Sequence, residues 1–292
     1  MSWVNTVVQG VLLGGLYALL ACGLSLMFGV MRIINLAHGD LAIVGAYLVL
    51  VVIDHSSVSP FVGFVAILPI MLLIGYALQR TVLDRSLRSG ILTPLLATFG
   101  LSIAIQNVLL REFSPDVQSL GGDAGSITTA SWNITGELSI SGLGVLILAV
   151  AVLAIGGLHL FLGSTRAGAV MRATAQDADA AELVGIDARA VYARATAIAI
   201  AIAALAGLFL GIRSTFDPTS GPTQLIFAFE AVVIGGLGSL WGTLLGGIVL
   251  GVAQTAGARI DPQYSILAGH AVFLAVLVTR RGGILAARGA TA

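Results

Sequence analysis

From Met1 to Met31 the chain carries no charged residue, and that run constrains the fold more than any other feature. About 20 apolar residues cross the hydrocarbon core of a bilayer as one helix, and the rest of the sequence repeats the pattern. Of 292 residues, 58% are hydrophobic and 10% charged, with a mean hydropathy of +1.03. A solvated globule around one core is excluded. Because backbone groups in lipid must satisfy their own hydrogen bonds, the chain is expected to be an all-α integral membrane protein. The architecture predicted is a polytopic bundle of about 8–9 transmembrane helices in a single domain, residues 1–292. One cysteine, Cys22, excludes a disulfide framework and a cysteine-based metal site. Its "LLAC" context suggests a lipoprotein cleavage box, but "MSWVNTVVQG" lacks the positive region of a signal peptide, so Cys22 reads as a buried helix residue.

The apolar stretches fall at about 5–30, 40–54, 60–79, 91–110, 142–162, 195–212, 222–237, 239–256 and 264–279. All 14 basic residues are arginines, so orientation reduces to locating them. With nine spans, eleven gather on one side: Arg32; Arg80, Arg85 and Arg88; Arg166, Arg172, Arg189 and Arg194; and Arg280, Arg281 and Arg288. That side is predicted cytoplasmic, with the C-terminus on it and the N-terminus outside. Arg111, Arg213 and Arg259 lie opposite, where the loop from Arg111 to Ser141 holds Glu112, Asp116, Asp123 and Glu137. An eight-span model with a re-entrant second segment flips only the N-terminus.

Two connections are long. The external loop 111–141 is rich in Gly, Ser and Thr, and it suits either a surface for a soluble partner or a plain connection. The inner loop 163–194 reads as helix. Asp177 or Asp179 can cap a start, Glu182 follows Asp179 at capping-box spacing, and Gly185 stands where a left-handed residue ends a helix. A two-turn helix with Ala180, Leu183 and Val184 beside acids either docks into a groove or caps the bundle as a connector.

Polar residues inside apolar stretches are the candidate path. In "INLAHGDLAIVGAY" Gly39 is expected to end one helix and Asp40 to cap the next, leaving Asn35 and His38 as inner-gate or packing residues near the inner surface. Thr98, Ser102 and Gln106 recur every four residues on one stripe, with Asn107 beside them. Gln106 is the preferred lining residue, since hydroxyls satisfy themselves on a backbone carbonyl more easily than an amide does. Glu230 stands in "LIFAFEAVVIGG" and faces either a cavity or a polar partner such as Gln254 or His270. His159 reads as a snorkelling residue rather than a metal ligand. In "GGLGSLWGTLLGGIVLG", Gly238, Gly242 and Gly246 form one row of small residues and Thr243, Gly247 and Gly251 a second. Such rows let helices approach closely, here within the bundle or against a partner permease.

Four blocks, "GLYALLACGLSLMFGVMRIINLAHGDLAIVGAY", "ATFGLSIAIQNVLL", "RATAQDADAAELVGID" and "VVIGGLGSLWGTLLGGIVLG", resemble in order those of the permease subunits of branched-chain amino acid ABC importers. The resemblance implies a type II-like permease fold in the bacterial inner membrane. It makes the inner loop the coupling segment, with Arg172, Gln176, Asp177, Glu182 and Gly185 toward an ATPase. It implies a second related permease, two ATP-binding cassette subunits and an external solute-binding protein, with lipid around them and no nucleic acid. Glu230 departs from the small or apolar residue usual there, which makes it a candidate determinant for an amine or amide.

No lysine exists to build a P-loop, so the chain is expected to hold no cofactor, leaving ATP and magnesium to the ATPases. The solutes the resemblance covers are branched-chain and other amino acids, urea, short amides and aromatic acids. A secondary transporter would need an ion-coupling site. An intramembrane enzyme would need a reactive cluster, and the histidines are scattered at 38, 55, 159 and 270.

Overall fold

In the computed structural model, which describes residues 3–87, 90, 92–135, 138–280 and 282–285, the uncharged run forms a single helix, α1 (Trp3–Met31). Apolar on every side, it is buried on nearly every side, as such a helix must be. Its counterpart is α9 (Ala188–Arg213), whose alanines leave room for neighbours to come close and which is buried to the same degree. Around this pair stand α2 (His38–Ser56), α3 (Pro60–Leu78), α5 (Thr93–Phe113), α6 (Gly142–Ser164), α10 (Gly221–Gly235), α11 (Leu240–Ile260) and α12 (Tyr264–Thr279). A π-helical turn, Gln79–Leu83, carries α3 into the short α4 (Asp84–Leu87). Seven of these segments are long and apolar enough to cross a membrane, whereas α10 and α12 are shorter apolar helices. In the long loop, β1 (Ser131–Thr135) and β2 (Leu138–Ser141) pair as an antiparallel hairpin, a small departure from an all-helical chain.

Of the two alternatives for the glycine rows, the structure shows packing inside the chain. On α11 a side chain at Gly247 would stand 2.7 Å from the Ala18 nitrogen, and one at Gly251 2.3 Å from the Gly10 oxygen, so this row seats α1. Gly242 and Gly246 face α10, with carbonyl oxygens of Gly235 and Ala231 at 2.3 and 2.0 Å from the same imagined carbon. Gly238 belongs to neither row. It lies in the turn before α11 with φ +78, against Gly29.

The two ends of the bundle differ in charge. Gln9 donates to the Ser139 oxygen at 2.7 Å, Gln118 pairs with Phe216, and Trp3 lies under the Arg259 guanidinium, which gathers Trp3, the long loop and residues 214–220 at one end. The described arginines 32, 80, 85, 166, 172, 189 and 194 lie on segments meeting at the other, joined by Thr196 to Gln79, Gly29 to Gly238 and Phe161 to Gly168. Arg88, Arg281, Arg288 and Glu137 lie outside the described residues. The segment that is re-entrant only in the eight-span alternative, α2, ends at Ser56, and the following Ser57 lies beside Asp123, at the loop end.

Candidate functional site

The break after α1 is not a turn at the basic end. Arg32 takes the left-handed conformation, φ 55, and residues 32–37 run back along α1 as irregular backbone before α2 starts at His38. His38 Nε2 donates to the Leu20 carbonyl at 3.0 Å, which puts the start of α2 about 16 Å up α1 from Met31 at 1.5 Å per residue. Irregular backbone at that depth survives only where protein encloses it, and Asn35, His38 and Asp40 are all buried. Gly39 and Asp40 therefore sit inside the first turn of α2, not between helices, and Asp40 does not cap it. Gly39 is a close-approach glycine: a side chain there would lie 2.0 Å from the Gly221 oxygen of α10.

At the same level α10 begins, with Gly221 against Asp40. Its start is held from the loop end by Asp217, whose carboxylate accepts from the Thr219 amide at 2.7 Å and from the Ser220 hydroxyl at 2.7 Å. Partial burial pushes the Asp217 carboxyl up. The bonds from Thr219 and Ser220 outweigh that and hold it below the usual carboxylate range.

The stripe on α5 faces this junction. Thr98 accepts from the Leu36 amide at 3.1 Å, and Gln106 donates to Ser102 at 3.1 Å and to Asp40 Oδ1 at 3.0 Å. Thr98 also donates to its own Pro94 carbonyl, the back-bonding expected of a helical hydroxyl. Asn107 does not join them: it is exposed and bonds the Ile103 carbonyl. The second Asp40 oxygen, Asn35 Nδ2 and His38 Nδ1 have no partner among the described residues. Below Thr98 a cavity of about 540 Å³ opens between Arg32, Ile34, Leu87 and Pro94. Asp40 is the residue the sequence undervalued. It is the only acid before Asp54, the same signal of a lone acid in apolar surroundings that singled out Glu230.

Glu230 belongs to another cluster. Buried at 3% exposure, it bonds His270 of α12 through one carboxylate oxygen, while the other has no partner among the described residues. Phe227 and the Tyr17–Gln254 hydrogen bond lie beside it. Glu230 is about 13 Å along α10 from Gly221. Among the described residues no group of three His, Cys, Asp or Glu gathers to hold a metal.

At the basic end the inner loop folds into α7 (Arg166–Gln176) and α8 (Ala178–Leu183). Asp177 joins them, ending α7 and capping α8 by accepting from the Ala180 amide at 2.9 Å. The Asp179 and Glu182 pair is therefore not at capping-box positions, but Gly185 is left-handed, φ 86, as expected. Leu183 and Val184 are 89% and 77% exposed at the tip. Arg172 lies away from that tip, on a crevice against α1 and α11, and Gln176 is the last residue of α7.

Residues 6–279 match the family model described as branched-chain amino acid transport system / permease component. The chain is 33% identical over 295 residues to the high-affinity branched-chain amino acid transport system permease protein BraD of Pseudomonas aeruginosa, covering 97% of this chain and 95% of that protein. It is 32% identical to LivH of Escherichia coli, covering 95% and 93%, and 27% identical to a probable LivH of Methanocaldococcus jannaschii, covering 84% and 78%. No solved structure matches the chain at comparable significance. The match runs through every helix described above, and the chain belongs to the family of permease components of branched-chain amino acid transport systems, a transport subunit rather than an enzyme.

Proposed function

We propose that this chain is one of two permease subunits of an importer for branched-chain amino acids in a bacterial inner membrane, working with two ATPase subunits and an external solute-binding protein. The observation that carries the reading is the chain-long relationship to permeases of that solute class. The basic end faces the cytoplasm with residues 280 and 282–285, since arginine-rich connections are retained there. The exposed Leu183–Val184 tip of α8, held by the Asp177 cap, supports a coupling role: an apolar tip fits a groove on an ATPase. ATP and magnesium belong to that partner.

In this reading the solute passes beside α5. That helix buries only Pro94, Thr98, Ser102 and Leu109, so few contacts resist its motion. When α5 swings away, Gln106, Ser102 and Thr98 exchange their bonds to Asp40 and Leu36 for bonds to the solute. Asp40 is then the acceptor for its ammonium, and the cavity above Arg32 is the exit. Asn35 and His38 keep the break rigid. Glu230 packs α12 against α10 and is not on this path.

The test is uptake into proteoliposomes holding the full complex. Labelled leucine should accumulate with ATP and binding protein, and urea, a short amide or an aromatic acid should not compete; competition by one of these would reassign the solute. A variant with Glu182→Arg and Gly185→Val should hydrolyse ATP without transport, and normal transport by an assembled variant would make α8 a plain connector.

A further inference from the structure

A crevice of about 370 Å³ opens at the basic end between α6 and α11, with α1 as its floor and α7 beneath. We propose that it binds the headgroup and glycerol region of an anionic phospholipid of the cytoplasmic leaflet, the orientation being that proposed above.

Depth comes first. Ser25 lies about 9 Å up α1 from Met31, His159 about 7 Å from the end of α6, and Trp241 is the second residue of α11. The crevice therefore spans the zone from headgroup to first acyl carbons. Its chemistry changes across that zone. At the mouth, Arg172 forms no ion pair among the described residues, and the His159 ring meets Trp241 edge to face at 6.2 Å. Arginine recognises phosphate through paired donors, and tryptophan favours the interface. Leu26, Val30 and Leu162 make the remaining walls apolar.

The second observation is Ser25. Its side chain is buried at 1% exposure and its hydroxyl has no partner among the described residues, although helical serines ordinarily bond their own backbone. A lipid ester or phosphate oxygen is the acceptor that hydroxyl lacks.

Direction decides between a lipid and a free anion. Leu160, next to His159 on α6, and Leu245, one turn along α11 from Trp241, are exposed and apolar, which favours an approach from the bilayer. The surface proposed for the ATPase is the separate tip of α8. A guanidinium near a membrane surface favours anionic over neutral lipid by about fivefold.

The experiment uses full-length protein with Trp3→Phe and Trp132→Phe, which leaves Trp241 as the reporter. Fluorescence is quenched with brominated phosphatidylglycerol or brominated phosphatidylcholine in mixed micelles. Quenching should favour phosphatidylglycerol by about fivefold. Arg172→Gln should bring the ratio to about one, Arg172→Lys should keep most of it, and Ser25→Ala should lower it in part. Inorganic phosphate at millimolar concentration should not relieve the quenching. Equal quenching by both lipids, an unchanged ratio in Arg172→Gln, or relief by phosphate would each overturn the proposal, the last by revealing a soluble-anion site. Arg172 is exposed, so its variants are expected to fold, and the circular dichroism spectrum checks that they do.

Discussion

The helices α5 and α11 are both 21 residues long and both carry a stripe of small or polar residues, yet they are attached in opposite ways. On α11, glycines press backbone against backbone on two sides, toward α1 and toward α10. On α5, one bond from Gln106 to Asp40 and one accepted by Thr98 from Leu36 do the holding, and the rest of the helix is largely uncovered. In lipid there is no hydrophobic drive between helices, so close van der Waals contact and polar bonds are the means of association. The first cannot be exchanged without opening the seam. The second can be traded for a solute, since an interhelical bond is worth about 0.6 kcal/mol on average in such a bundle.

The largest effect expected is therefore on the seam. Gly246→Leu would drive a side chain into the Ala231 carbonyl, only 2.0 Å from where its first carbon would stand. Overpacking of this kind costs about 1–3 kcal/mol or more, and most of the folded protein should be lost from a size-exclusion profile. Gly100→Leu on α5, where nothing lies within 4 Å, should leave the profile unchanged. Equal behaviour of the two variants would break the distinction between the helices.

Next comes the polar attachment. Asp40→Asn, which removes the charge but keeps an acceptor for Gln106, and Gln106→Leu, which removes the bond, should each lower the initial uptake rate about tenfold, with folded yield within twofold of the parent because the bond at stake is worth roughly 1 kcal/mol. The two residues share a bond, so the double variant should be little worse than either single one. Additive losses in rate would mean that they act separately.

How much of this was legible beforehand depends on the kind of signal. Charge and hydropathy located the apolar helices to within a few residues, the start of α9 excepted, which lies seven residues before the expected 195, because a bilayer leaves a chain few alternatives. The stripe Thr98, Ser102, Gln106 was equally plain, since helical spacing alone puts those residues together. Its partner was not, because a residue on another helix has no spacing to betray it. Asp40 stood in a Gly-Asp pair that imitates a helix boundary, and the actual boundary fell at Arg32, a residue with no local preference for a left-handed backbone. The glycine rows announced close packing but not against what: one row met α1, more than 200 residues earlier in the chain.

A smaller effect attends α8. Asp177→Ala removes the side-chain cap, at a cost of about 1 kcal/mol. ATP hydrolysis coupled to transport should fall severalfold while hydrolysis itself and assembly persist. An unchanged ratio of solute moved to ATP hydrolysed would mean that partner contacts, not the cap, order the tip.

The smallest effect belongs to Asp217, which fixes the start of α10 between the rigid seam and the exchangeable bonds. Its folded carboxyl titrates below the ordinary value, about 3.9 for aspartate. A group lowered on folding contributes stability that is fully present above the unfolded value and is lost as pH falls through the folded one. The contribution is thus constant from neutral pH down to about 5 and fades below about 4. Asp217 is only partly buried, so solvent screening keeps the effect modest. Amide exchange at Thr219, whose N–H bonds the carboxylate, isolates it when parent and Asp217→Asn are compared at each pH, because the intrinsic rate cancels. Exchange should be faster in the variant by a constant factor at pH 5 to 7, and the factor should shrink toward one near pH 3. A factor that holds steady down to pH 3 would mean that the turn is kept by Ser220 donating from its amide to the Asp217 carbonyl, not by the charge, and the start of α10 would then belong with the rigid half of the molecule.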